Sequence, residues 1–295
     1  MPFHSRFSPV LWLSVTCSVL PLAGSQIVGS ETVATDYHTL IQAERIFAAY
    51  GGQHSVKDAF SKFLADAYLF REDKFVRGGP FYATQSERPG RLTWRPTYAR
   101  VAASGNWGVT TGPAEFHPNT AAEPPVGYGN FVTLWQKDTA GAWQVLYDGG
   151  ISYATPASAS EIIHPKTFPA KLQVLADTVA LRNALQQTET AFAARAQTSL
   201  QQAYAPVLPK SGSELRLLRE EAVPYVGPAA QRLATESTQA VAFRPFQTAV
   251  APSGELGYTL GYLDFQQQRG HYLRVWQREG EQWKLALELL AAKLK

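Results

Sequence analysis

The spacing of apolar residues changes along the chain from a helical period to a strand period. Residues 36–50 and 56–64 carry apolar stripes at helical spacing, and Ser55 can cap the second helix. From Trp94 onward, apolar and polar residues alternate as they do along strands. Helices followed by an antiparallel meander predict an α+β fold. The shorter predicted elements are a strand at Tyr68–Phe70, a helix at Phe81–Glu87, and strands at Trp94–Ala103, Trp107–Phe116, Gly127–Lys137 and Ala142–Tyr153.

The same order of signals returns in the second half of the chain. Trp94-Arg95-Pro96 recurs as Phe243-Arg244-Pro245, and Glu44 with Phe47 recurs as Glu189 with Phe192. Two long copies predict two globular domains, because a solenoid needs at least three short repeats. We predict a tandem duplication with a first domain at 26–154, a linker at 155–169 and a second domain at 170–295. The second copy is predicted to contain helices at Ala170–Ala196, near Ser199–Tyr204 and from Pro228, a strand at Leu215–Leu218, and four strands from Ala240.

One predicted strand is apolar on both faces. Its residues Phe131, Thr133 and Trp135 alternate with Val132 and Leu134. A sheet that is apolar on both faces needs cover on both. We therefore predict that the outer face of the first sheet packs against the second domain or against a second chain.

The last strand of the second copy is predicted to have one apolar face, which packs on the helices, with Glu288 on the opposite face. The residues of the apolar face are Trp283, Leu285, Leu287 and Leu289.

The first 25 residues have the pattern of a secretory signal. An apolar stretch from Val10 to Leu22 follows Arg6 and ends in small residues, which predicts a periplasmic or secreted protein. The single cysteine, Cys17, lies in this segment, so the mature chain would have no disulfide and no thiolate metal site. No second stretch approaches membrane-spanning length. The net charge of +3 comes from scattered Lys and Arg residues, which argues against nucleic-acid binding.

Several of these motifs together resemble a known superfamily. Trp94-x-Pro96, Ser104-Gly105-Asn106-x-Gly108, Thr111-Gly112 and Trp135-x-Lys137 followed by Gly141-x-Trp143 are similar to the SnoaL-like branch of the nuclear-transport-factor-2-like superfamily. The resemblance implies two cone-shaped domains, each with N-terminal helices packed on a curved sheet around a pocket. Members include isomerases, cyclases, dehydratases and domains without a reaction, so the fold alone does not choose a function.

The enzymes in this superfamily use a carboxylate or an Asp–His pair as a general acid or base. The candidates in the first copy are Asp66, Glu115, His117 and Asp148. Alternation places Asp148 outside the cone unless a bulge intervenes. Glu115 and His117 can share a strand face, but the adjacent Pro118 favours a solvated loop histidine instead. Asp66 ends a predicted helix and is interpreted as a cap or a solvent-facing residue.

Aromatic residues and one arginine are the candidate pocket lining, with packing in the core as the alternative. Arg71 is either an anion clamp or a structural ion pair. The candidate lining residues are Tyr68, Arg71, Trp94, Tyr98, Trp107, Tyr128 and Trp135.

Three functions remain open. The first is an exported protein that binds a small apolar or amphipathic ligand or a partner without catalysis. The second is a cofactor-independent isomerase, cyclase or dehydratase acting by acid/base catalysis in the first domain. The third is a structural or dimerisation module. The six histidines show no metal-ligand spacing, and no phosphate loop or dinucleotide motif occurs, so no metal or cofactor is expected.

Overall fold

The computed structural model describes residues 30–156 and 177–294, which form two tandem α+β domains. In each domain, helices pack on one face of a curved, mainly antiparallel sheet, so the predicted fold class is confirmed. The expected signal segment and most of the expected linker lie outside the described residues. The domain boundaries and the duplication stay predictions.

The first domain places its helices before and between the first strands. Its outer strands β2 and β1 form a hairpin, and β1 runs parallel to β7. The sheet order is β2-β1-β7-β6-β5-β3, and β4 also pairs with β5. The elements are α1 (Ser30–Gln53), α2 (Val56–Phe63), β1 (Tyr68–Arg71), β2 (Lys74–Arg77), α3 (Gly78–Ala83), β3 (Arg91–Trp94), β4 (Tyr98–Val101), β5 (Trp107–His117), β6 (Gly127–Lys137) and β7 (Trp143–Tyr153).

Two local features differ from the sequence prediction. The expected strand 94–103 is interrupted at Pro96, which cannot donate a backbone hydrogen bond, and it becomes β3 and β4. The β1–β2 hairpin was not expected. Its turn residues Glu72 and Asp73 have φ values of 52° and 61°, a conformation that Gly or Asn usually marks in a sequence.

The second domain repeats this order of elements. Its second helix follows the N-cap Ser199, and its last helix begins at Pro228, as predicted. The sheet order is β10-β11-β12-β13-β8-β9, with β8 parallel to β13. The elements are α4 (Thr178–Ala196), α5 (Leu200–Tyr204), β8 (Arg216–Arg219), β9 (Tyr225–Val226), α6 (Pro228–Glu236), β10 (Ala242–Val250), β11 (Leu256–Phe265), β12 (Gln268–Glu279) and β13 (Gln282–Ala291).

The outer faces of the two sheets pack on one another, which provides the cover that the doubly apolar strand requires. Trp107 stacks on Tyr258 with ring centroids 5.4 Å apart, and the Tyr147 hydroxyl lies 2.8 Å from His271 Nε2. The molecule therefore has four layers, with helices outside and two sheets inside. The core between the sheets includes Trp107, Val109, Val132, Leu134, Tyr147, Leu256, Tyr258, Leu260, Leu273, Val275, Leu287 and Leu289.

A bulge in β7 decides which way Asp148 points. Leu134 pairs with Tyr147 while Trp135 pairs with Val145, so Leu146 is an extra residue. An extra residue reverses the alternation of a strand. Tyr147 therefore faces the second domain and Asp148 faces the helices, so the placement of Asp148 outside the cone is wrong.

The last strand of the second domain has a bulge at the corresponding place. Val275 pairs with Leu287 and Trp276 with Leu285, which leaves Ala286 as the extra residue. Consequently Leu287 and Leu289 lie between the sheets rather than on the helix side, and Glu288 lies inside the domain. The single face predicted for this strand is wrong beyond Leu285.

Candidate functional site

A cavity of about 430 Å³ lies in the first domain between the helices and strands β5, β6 and β7. We call it the Asp148 cavity. Phe60 of α2 forms part of its wall. The lining also includes Phe116, which is exposed to solvent. Glycines at 127, 129, 149 and 150 are among the lining residues on the strand side of the cavity. Its other lining residues include Arg71, Tyr128, Phe131, Asp148 and Tyr153.

Asp148 is the acidic group of this cavity. The Thr133 hydroxyl donates a hydrogen bond to Asp148 Oδ2 at 2.9 Å. Burial raises the pKa of Asp148 to about 7, and the nearby Glu44 carboxylate raises it as well, while Thr133 and Arg71 oppose the shift. A carboxyl group with this pKa is present in both protonation states at neutral pH. It can therefore accept a proton from a ligand or donate one to it.

Glu44 lies near enough to Asp148 to raise the pKa of that carboxyl, but it is closed off from solvent. Its carboxylate is fully buried and accepts hydrogen bonds from the indoles of Trp94 (2.6 Å) and Trp135 (3.1 Å) and from the Thr110 hydroxyl (2.6 Å). Burial raises the pKa of Glu44, and these hydrogen bonds limit the rise. Sequence reasoning did not select Glu44 as a site residue. The available signal was a glutamate on the apolar stripe of α1.

Arg71 places a positive charge beside the acidic pair. Its Nη1 donates to the Phe70 carbonyl at 2.8 Å and its Nη2 to the Tyr82 hydroxyl at 3.1 Å. Both partners are neutral, and the guanidinium lines the cavity. Burial raises the pKa of Tyr82, and the charge of Arg71 opposes this rise as it opposes the rise at Asp148. A ligand in the cavity therefore meets one carboxyl group and one guanidinium.

The other acidic candidates and the histidine do not line this cavity. His117 is 4% exposed, with Nδ1 2.6 Å from the Glu123 carbonyl and Nε2 2.9 Å from the Thr93 hydroxyl. It is buried rather than solvated, because the 117–126 loop folds back over it. Glu115 is partly exposed and lies 4.0 Å from His117. Asp66 lies exposed in the turn after α2.

The aromatic candidates fall into three groups. Tyr128 lines the Asp148 cavity together with Arg71. Trp94 and Trp135 lie in the helix-side core and bind Glu44. The remaining three lie at the domain interface, where Trp107 stacks on Tyr258, Tyr68 contacts Phe246 at 5.3 Å and Tyr98 contacts the Arg216 guanidinium at 4.2 Å.

The second domain has an acidic interior that is neutralised from within. Arg274 is fully buried; its Nε donates to Glu288 Oε2 at 2.5 Å and its Nη1 binds Glu189 Oε1. Arg219 Nη2 donates to Glu288 Oε1 at 2.6 Å. The Tyr204 hydroxyl also donates to Glu288. Burial raises the pKa of Glu288, but the two guanidinium charges outweigh it and hold this pKa below its ordinary value.

The described ranges contain neither a cluster of metal-ligating residues nor a helix suited to crossing a membrane. No group of three or more His, Cys, Asp and Glu residues within 30–156 and 177–294 could hold a metal ion. None of the helices described there combines the length and apolarity needed to cross a bilayer.

Parts of the chain are similar to solved structures. A candidate aromatic ring hydroxylase from Novosphingobium aromaticivorans is 17% identical, covering 41% of this chain and 93% of its own, with a TM-score of 0.31. A nuclear-transport-factor-2-like protein of unknown function from Pseudomonas putida is 17% identical, with 40% and 90% covered and a TM-score of 0.31. A hexachlorocyclohexane dehydrochlorinase is 15% identical, with 38% and 85% covered and a TM-score of 0.29. No protein-family model and no curated protein matches the sequence.

Proposed function

We propose that the first domain binds a small amphipathic molecule in the Asp148 cavity. The observation that carries this proposal is a cavity of about 430 Å³ whose walls are mainly aromatic and aliphatic and whose polar side chains include Asp148 and Arg71. Apolar walls with a few convergent polar groups are typical of small-molecule sites, because burial of the apolar surface supplies affinity and the polar groups set orientation.

A cavity-filling substitution tests ligand binding. Ala114 lines the cavity, so Ala114→Leu should occupy part of it and abolish the thermal stabilisation given by ligands from a library of steroids, polyketides and fatty acids. Ala121→Leu is the matched control, because it adds the same side chain on an exposed loop. Equal stabilisation of both variants by the same ligands would place binding outside this cavity.

A second candidate function is a cofactor-independent proton transfer, as in an isomerase, cyclase or dehydratase. The pKa of about 7 at Asp148 favours it, since a group that titrates near the working pH is an efficient general acid or base. Arg71, which lines the same cavity, would stabilise negative charge on a ligand oxygen that develops as Asp148 takes a proton.

Deuterium exchange separates catalysis from binding. A bound carbon acid should exchange its proton with heavy water in the presence of the protein, and the rate should rise with pH through about 7 as Asp148 ionises. Asp148→Asn should abolish the exchange and leave apolar binding intact. Ligand binding without any exchange would support the binding function alone.

We also infer that this is an exported protein of the SnoaL-like branch, built from a tandem duplication and located in the periplasm or outside the cell. The repeated sequence motifs, the repeated order of elements and the signal-like segment support this inference. Mass spectrometry of the protein recovered from fractionated cells tests it. An intact mass that still includes residues 1–25, or recovery in the cytoplasmic fraction, would contradict export.

A further inference from the structure

The two domains carry different residues at one equivalent interior position. Thr133 on β6 pairs with Asp148 on β7. The next pair, Leu134 with Tyr147, is the last one before the bulge. In the same way, Arg274 on β12 pairs with Glu288 on β13, and the next pair, Val275 with Leu287, is the last one before the bulge. The strand register therefore identifies Thr133 of the first domain with Arg274 of the second.

The second domain shows what its acidic interior binds. The Arg274 guanidinium lies between Glu189 and Glu288. It also contacts three aromatic rings, with its central carbon 3.8 Å from the Phe192 centroid, 4.2 Å from that of Phe243 and 4.4 Å from that of Tyr272. Paired carboxylates and ring faces are the surroundings that an organic cation prefers in a dry site.

The first domain has the acidic groups of this arrangement without the second cation. The second-domain interior holds two carboxylates and two guanidinium groups, those of Arg219 and Arg274. On the helix side of the first-domain sheet, Glu44 and Asp148 lie near the guanidinium of Arg71. With both carboxylates ionised this group is one positive charge short, and Asp148 borders open space that a ligand can enter.

We propose that the Asp148 cavity takes a ligand in which a protonated nitrogen, as in an amine, amidine or guanidine, is attached to an apolar body. The cation pairs with Asp148 as Arg274 pairs with Glu288, and the apolar body packs on Phe60, Phe131 and Tyr153. This assignment of ligand class rests on the proposed binding function of the cavity.

The charge of Arg71 does not exclude such a ligand. In the second domain, Arg219 and Arg274 both bind Glu288, one on each carboxylate oxygen. Arg219 occupies the position of Arg71, since each donates to the carbonyl of the preceding residue in the strand parallel to the bulged one. Two cations around one carboxylate are therefore an arrangement that this fold already contains.

Three ligands of the same shape test the class. Benzamidine, benzamide and benzoate carry positive, zero and negative charge, and their affinities can be measured by calorimetry on the full chain near pH 8. We expect benzamidine to bind at least about tenfold more tightly than benzamide, and benzoate to bind most weakly. Near pH 5, benzamidine should bind up to about 100-fold more weakly, because it must then displace a proton from Asp148.

Two variants connect the effect to the site. Asp148→Asn should remove the advantage of benzamidine over benzamide, whereas Asp66→Asn, at an exposed turn, should keep it. Thr133→Arg should supply the cation from the chain itself and abolish benzamidine binding, with circular dichroism as the check on folding. If Thr133→Arg fails to fold, the Asp148→Asn comparison decides.

The outcomes separate the ligand class from the binding function. Benzoate or benzamide binding as tightly as benzamidine, or benzamidine binding unchanged in Asp148→Asn, overturns the cationic class. If Ala114→Leu still blocks the ligands that do bind, the binding function stands. Failure of all three ligands up to about 10 mM also overturns the class, and the library screen then decides the binding function independently.

Discussion

In the second domain, Glu189 and Glu288 face the guanidinium groups of Arg274 and Arg219, whereas in the first domain Glu44 and Asp148 face Arg71 and neutral donors. The same fold thus holds a closed, charge-balanced interior on one side and an open, acidic one on the other. The difference lies largely in one side chain, Arg274 against Thr133. The arginine closes the interior of the second domain, whereas the small threonine leaves a cavity beside a titrating group in the first.

The largest expected effect is the loss of the internal cation. Arg274→Ala would leave Glu189 and Glu288 buried without their shared partner, and removing one member of a buried ion pair costs about 3–5 kcal/mol. Urea denaturation should show this loss. The matched control is Arg269→Ala, which breaks an exposed pair with Asp264 and should leave the unfolding midpoint unchanged. Equal midpoints for the two variants would contradict the closed interior described above.

The next effect is a pH dependence that belongs to the first domain. The pKa of Asp148 is raised in the folded protein, so its contribution to stability is fully present below about pH 4 and is lost as pH rises towards 7. Asp148→Asn removes this loss. We expect the variant to gain roughly 2–4 kcal/mol over the wild type between pH 4 and pH 8. Thermal denaturation across this range measures the gain, and a constant difference would show that Asp148 titrates at its ordinary value.

The smallest effect concerns the contact between the domains. Burial lowers the pKa of His271 to about 3, with Arg71 adding to the shift, so the imidazole is neutral when it meets the Tyr147 hydroxyl. Tyr147→Phe should cost about 1–3 kcal/mol, because the buried ring nitrogen loses its partner. The control Tyr225→Phe removes a hydroxyl on β9 and should be close to neutral. Chemical denaturation that cannot distinguish the two would argue against the interface bond.

Much of the fold could be predicted from the sequence, and particular residues show why. The bounds of β6, Gly127–Lys137, were predicted as observed, because alternating residues follow a glycine and precede a turn. Both faces of β6 are apolar, which predicted that its outer face would be covered, and the second sheet covers it. These features depend on periodicity, which a sequence records directly.

The candidate site depended on features that periodicity does not record. The orientation of Asp148 follows from the extra residue Leu146, and no turn residue marks that bulge. The roles of Glu44 and Arg274 follow from contacts between residues far apart in the chain. A charged residue within an apolar stripe was the one available signal, and it applies to Glu44 in α1 and to Arg274 between Leu273 and Val275.

Ser104 and Ser253, which stand at matching places in the two copies of the repeated motif, touch one another across the interface with hydroxyl oxygens 3.2 Å apart. Self-matching contacts of this kind are what a two-fold symmetric homodimer would make. The two subunits of a homodimer, however, are encoded by one gene, so an arginine that appears inside one subunit appears inside both. When both halves belong to one chain, each half can change its residues independently of the other. Selection can keep one half as a rigid support while the other half remains free to change its ligand.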